Sequence, residues 1–226
     1  MRTRVMCLAA ILAACSDPAP EPAPAPEPQA NADPQLIEFQ CGDYSSMPAE
    51  QVEACTTLIG LYGDATDNRS RLALAYLARG TAHKRAGDQA RAEPDYREAI
   101  RLHSIPIDAG EREVLNLNDR CWARAVAMID LDGALADCNE ALRLMPDFVP
   151  ALDSRAFLHL RGGRFQDAIT DYDVAIMGSP QDSWSLYGRG IAKLRMGDSA
   201  GGQADIEASK TVQDVAPEFA AYGFAP

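Results

Sequence analysis

The chain has 226 residues, 47% of them hydrophobic, and carries 33 acidic against 21 basic side chains, for a formal net charge of −12. Such an acidic excess repels nucleic acid and anionic lipid head groups, which argues against either as the main partner. From Leu36 onward the chain is long enough for a substantial core if its elements stack, and it reads as one elongated domain.

The first fourteen residues open with Arg2 and Arg4, continue in an apolar run from Val5 and end at Leu12-Ala13-Ala14-Cys15. The run is far short of the ~20 residues that span a bilayer and has the form of a secretory signal over 1–14. The Leu-Ala-Ala-Cys ending resembles a bacterial lipobox. That resemblance implies that Cys15 becomes the lipid-modified first residue of the mature chain; the rival reading is cleavage nearby with Cys15 left free. Ser16 after the cysteine, where an aspartate could stand, resembles lipoproteins sorted to an outer membrane. Loss of Arg2 and Arg4 with the signal takes the charge from −12 to −14.

Over 15–35 the composition narrows to Pro, Ala, Glu and Asp, with seven of the fifteen prolines between Pro18 and Pro34. Such a segment buries too little apolar surface to offset its ordering entropy. At ~3.1 Å per residue it spans about 60 Å as a semi-rigid stalk. A proline-rich ligand for another protein is the alternative.

Residues 36–68 form an N-terminal capping segment. Cys41 and Cys55 flank a turn-rich stretch ending in Ser46-Met47-Pro48, after which Val52, Cys55, Leu58 and Ile59 recur at helical spacing, giving a helix over about 48–61.

From residue 69 to 214 a unit of about 34 residues recurs. Its copies align on Asp95-Tyr96, Asp137-Cys138, Asp171-Tyr172 and the weaker Asp205-Ile206, with aspartates 42, 34 and 34 residues apart. Upstream of each stands an arginine and a small residue: Arg79-Gly80, Arg120-Cys121, Arg155-Ala156 and Arg189-Gly190. The third copy reads Ala156, His159, Gly163, Ala168, Tyr172, Ala175 and Pro180. The first has Gly80, His83, Gly87, Ala92, Tyr96 and Ala99. The second keeps Ala134, Cys138, Ala141 and Pro146 without the turn glycine and is one residue longer between Arg120 and Ala134, so its first helix is open to a one-residue shift in register. The fourth, with Gly190, Gly197, Gly202 and Ile206, is degenerate.

This pattern resembles the tetratricopeptide repeat. The resemblance implies an all-α, right-handed solenoid of antiparallel helix hairpins, about four repeats plus capping helices, in which each hairpin buries its apolar face on its neighbour. The 42-residue first step is expected to come from a loop insertion at 103–110, where Pro106 and Gly110 disfavour helix. Pro94 is expected to kink the second helix of its hairpin. Residues 215–226 can cover the last hairpin as a C-terminal capping helix.

An exported chain meets an oxidising compartment. Four cysteines allow three pairings, and topology favours Cys41–Cys55 and Cys121–Cys138, the second between the two helices of one hairpin. Buried free thiols, or a redox or zinc site, are the competing readings; neither pair has CxxC spacing.

No GxSxG, Walker loop or HExxH occurs. His83 and His159 sit at a core-facing repeat position, His103 lies in the expected loop, and Asp130 and Asp132 read as turn chemistry. An enzyme, a cofactor and a metal site are not expected. In the resembled fold the first helix of each hairpin lines a concave groove. Aligned on the small residue, this puts Thr81, Trp122, Phe157 and Ile191 in one row, Leu77, Asn118, Asp153 and Tyr187 in a second, and Arg85, Val126, Arg161 and Arg195 in a third. Aromatics beside arginine make binding anchors; packing of Trp122 and Phe157 against neighbouring repeats is the alternative. The Lys/Asn carboxylate clamp of some relatives is missing. The expected function is a lipid-anchored envelope adaptor holding a protein or peptide in the groove. The alternatives are a structural envelope component that associates with copies of itself or a larger complex, and a thiol-redox or metal-dependent enzyme.

Overall fold

A computed structural model describes residues 33–63, 68–110 and 113–226. The signal-like segment, Cys15 and the linker up to residue 32 lie outside the described residues. Among the described residues there are eleven helices and no strands, and no helix is long and apolar enough to cross a membrane.

α1 (Pro34–Gly42) begins inside the stretch read as linker. Proline at N1 loses nothing there because that amide has no helical acceptor, and the Asp33 side chain accepts from the Gln35 amide. α2 (Pro48–Tyr62) starts the same way on Pro48, and Glu50 accepts from the Met47 amide. A disulfide joins Cys41 on α1 to Cys55 on α2. Beside it the buried Gln51 amide donates to the Cys41 carbonyl at 2.9 Å.

Four antiparallel hairpins follow: α3 (Arg69–Arg85) with α4 (Gln89–Asp108), α5 (Val114–Ala127) with α6 (Leu131–Leu144), α7 (Val149–Arg161) with α8 (Phe165–Gly178), and α9 (Ser183–Arg195) with α10 (Ser199–Val212). In three of them the first helix ends on a left-handed glycine, Gly87, Gly163 or Gly197, the conformation that stops a helix at least cost. In the second hairpin Met128 takes that position, eight residues after Arg120 as Gly87 is after Arg79, at φ 59°. The register of α5 is therefore unshifted. The extra residue is Ile129, placed in the turn before Asp130, whose side chain caps α6 through the Gly133 amide.

Each hairpin closes on small residues. A Cβ on Gly80 would stand 2.9 Å from the Tyr96 ring, and one on Gly190 would stand 2.8 Å from the Gly202 carbonyl. In the second hairpin the corresponding pair is Cys121 and Cys138, both fully buried and joined as a disulfide across Cα atoms 5.6 Å apart. A covalent bond there replaces the packing of a small residue against a ring. Closing a loop of this size stabilises by about 3 kcal/mol in the chain-entropy picture.

The sequence alignment also conceals a clasp. Arg79, Arg120, Arg155 and Arg189 each make two parallel hydrogen bonds of 2.7–2.8 Å to Asp95, Asp137, Asp171 and Asp205 on the second helix of the same hairpin. These bidentate pairs are of the strong, directional kind. They pin the helices at the level of the small residues.

The expected loop at 103–110 is instead the end of a continuous α4, twenty residues long with Pro94 and Pro106 inside it. The reason is burial. Leu102, His103, Pro106 and Ile107 recur on one face and all are buried. Exposing that face costs more than the single backbone hydrogen bond that Pro106 forgoes. His103 is thus a core residue, and its desolvation lowers its pKa to about 4.

Candidate functional site

The inner face of the array is formed by α3, α5, α7 and α9, and the three rows aligned in the sequence meet there. Thr81, Leu77, Phe157, Tyr187 and Ile191 are fully or almost fully buried. Trp122 and Arg161 are half-buried, and Arg195 is exposed. Phe157 lies beneath the face, with its ring centroid 5.0 Å from that of Trp122. Arg85 is drawn away from the row, donating to Gln51 and to the Ser46 carbonyl of the α1–α2 loop.

The face is occupied by the chain itself. After α10, Val215 is buried and the short helix α11 (Ala216–Ala221) begins, with Pro217 in its first turn. Phe219 is fully buried, stacked 4.2 Å from Trp184 and 4.8 Å from Tyr187. Tyr222 reaches Trp122 at 5.8 Å and Phe157 at 5.4 Å, and Phe224 lies 5.7 Å from Phe157. The Arg161 guanidinium sits 5.6 Å over the Phe157 ring and donates to the Tyr222 carbonyl, while Arg195 donates to that of Ala225. At the far end Tyr222 donates to Tyr44 of the α1–α2 loop, the oxygens 3.0 Å apart. The segment read as a cover for the last hairpin therefore runs across the inner face as far as α3 and Tyr44.

Electrostatics follow burial. Desolvation pushes the Tyr44 hydroxyl up to about 12 and Tyr222 well above its ordinary value, so the pair stays neutral. Desolvation also lowers the pKa of Arg161 and of Lys84, and Lys84 feels the Arg161 charge in addition. A cleft of about 610 Å³ lies open beside α11, lined by Tyr44, Lys84, Arg85, Ala221 and Tyr222 among others.

One row residue has chemistry of its own. Asp153 on α7 and Asp182, the N-cap of α9, both contact the Ser185 hydroxyl, the second at 2.5 Å. One hydroxyl carries one proton, so it serves only one carboxylate, and the other contact needs a proton on a carboxyl. Burial, with the Asp182 charge adding to it against the Ser185 hydrogen bond, raises Asp153 to about 8. The folded state therefore holds a proton that the unfolded state has lost between about pH 4 and 8, and stability falls as pH rises through that window. Asp153→Asn is expected to melt above the parent at about pH 8.5, with the gap closing towards about pH 4; thermal melts across that range check it, and equal melting curves at the alkaline end count against a protonated Asp153.

Reasoning on the sequence missed Trp184, Tyr44 and the segment's aromatics as site residues. The signal available was the spacing Phe219, Tyr222, Phe224 in a stretch outside the repeats. Among the described residues no cluster of His, Cys, Asp and Glu is arranged to hold a metal ion.

No protein-family model matches the chain. No curated protein matches it either. Among solved structures, a tetratricopeptide repeat protein from Parabacteroides merdae is 15% identical with a TM-score of 0.47, covering 84% of each chain. The MamA MSR-1 C2 structure is 13% identical with a TM-score of 0.45 over 80% of this chain and 94% of that one. The TPR2AB domain of yeast Sti1, solved in complex with pHSP90, is 13% identical with a TM-score of 0.40 over 84% and 82%. The hairpin architecture of this chain rests on its own helices, turns and clasps.

Proposed function

We propose that this protein is a non-catalytic scaffold, lipid-anchored through Cys15 in a bacterial envelope and facing the periplasm, whose inner repeat face binds a protein or peptide segment. The observation that carries this reading is the aromatic and arginine-lined face that already seats a peptide segment, with rings filling it and two arginines bonded to main-chain carbonyls. Carbonyl recognition accepts many sequences, whereas the ring slots select among them.

The test is crosslinking of the anchored protein in its native envelope, wild type against Trp122→Ala/Arg161→Ala, read by mass spectrometry. These two side chains are half-buried, so the double variant perturbs the face more than the core. A partner present with wild type and lost with the variant is the expected result. Partners unchanged in the variant would move the binding surface elsewhere.

A further inference from the structure

Three cations border the seated segment without a counter-charge. Arg161 and Arg195 bond only to carbonyl oxygens there, together with the Met128 sulfur for Arg161, and Lys84 lines the open cleft beside Ala221. Among the described residues none of the three has a carboxylate within ion-pair distance, in a chain that is acidic overall. Their neighbours in the hairpins behave differently: the clasp arginines and Lys193 all hold aspartates. The segment's one acidic side chain, Glu218, faces Asp43 and Asp214 and has its pKa raised by burial and by those charges. It neutralises none of the three.

The segment therefore satisfies the apolar half of the face and leaves the charged half unmet. Burial has made Arg161 and Lys84 harder to keep charged, and Lys84 also sits in the field of Arg161. A carboxylate brought to Arg161 exchanges a contact with a neutral carbonyl for a bidentate one with an opposite charge, the stronger and more directional pairing. We infer that the inner face is a site for an acidic, aromatic-anchored segment of a partner protein, with rings spaced as in Phe219, Tyr222 and Phe224 and carboxylates reaching Arg161, Arg195 and Lys84, and that residues 215–226 are a weaker resident competitor which such a segment displaces. This rests on the face being a binding site, as proposed above. The occupant is a partner because the chain's own acidic linker, 16–32, contains no aromatic residue.

Two labelled synthetic peptides separate the claims: one with the sequence of residues 215–226, the other the same with Ala221→Glu and Ala225→Glu. Ala221 lines the cleft with Lys84, and Ala225 offers its carbonyl to Arg195. Both tryptophans of the chain lie at the site, so intrinsic fluorescence reports seating alongside anisotropy of the label. Wild type is expected to bind the acidic peptide at least tenfold more tightly than the unmodified one, with the advantage shrinking at high salt and falling in Arg161→Gln/Arg195→Gln. If that pair lowers the folded fraction, Arg195→Gln alone, at an exposed position, must still reduce the advantage. Equal affinity for the two peptides overturns the acidic class while leaving a binding face. The full-length Phe219→Ala/Tyr222→Ala chain, with its competitor weakened, should bind both peptides better than wild type; binding of neither by the folded variant overturns the face itself. Should that variant not fold, hydrogen exchange on wild type decides: the acidic peptide must speed exchange over 216–226, and unchanged exchange removes the displacement. A wild-type dimer that the peptide dissociates would give the face to a second copy's segment and overturn the partner.

Discussion

Phe157→Ala is expected to lower the stability of the protein by about 3–5 kcal/mol, the range for emptying a buried phenylalanine site, as read by chemical denaturation of the oxidised protein. Phe157 is fully buried and stands within ring contact of Trp122, Trp184, Phe219, Tyr222 and Phe224, at centroid distances of 5.0 to 6.1 Å. Three of those five rings belong to the 215–226 segment. The variant should therefore also loosen that segment before the hairpins melt, seen as faster amide exchange over 216–226 in native buffer. Trp122→Ala, at a half-buried position, should cost less. A loss below about 1 kcal/mol for Phe157→Ala would mean that the surrounding rings collapse into the space, and the segment would then be seated by its carbonyl contacts more than by its aromatics.

The row Thr81, Trp122, Phe157, Ile191 follows from repeat alignment, and α5 keeps the register that puts Trp122 in it. Whether a residue in that row is open to a partner depends on what lies over it, and periodicity within the repeats carries no such information. The 215–226 segment has the helical spacing of Phe219 and Tyr222 but no local mark of its destination; contacts with α5, α7 and the α1–α2 loop decide it. Pro106 shows the opposite failure. A strong local signal for a break was overridden by an apolar face formed by Leu102, His103 and Ile107, which extends α4 where a loop was expected. The turn glycines Gly87, Gly163 and Gly197 were legible because each acts through its own φ. The arginine and aspartate columns were visible as columns, and only the geometry of the hairpins makes them pairs.

The pair in the second hairpin sets the second large effect. Asp137 accepts from two arginines, Arg120 through both oxygens and Arg124 at 2.6 Å, and its side chain is only 7% exposed. Asp137→Ala removes the buried counter-charge shared by two guanidiniums and leaves them only exposed carboxylates, Asp130 3.2 Å from Arg124 and Asp108 4.0 Å from Arg120, and breaking a buried pair in this way costs about 3–5 kcal/mol. Asp137→Asn should cost nearly as much, because an amide accepts at one atom and cannot offset either charge. The neighbouring Cys121–Cys138 bond does not soften this, since it acts chiefly on the unfolded chain and removes no charge from the native one. Position in the array matters as well. Repeat stability is a sum of unit and interface contributions, and α5–α6 joins the N-terminal elements to α7–α10. Weakening it should broaden or split the denaturation curve, as the two ends cease to unfold together. Asp205→Ala, in the last hairpin, should lower the midpoint with less broadening, because fraying there leaves the preceding hairpins stacked. Circular dichroism against urea distinguishes the outcomes. A single sharp transition for Asp137→Ala, shifted no further than that of Asp205→Ala, would show that the disulfide and the ring cluster carry the second hairpin and that its double clasp contributes little.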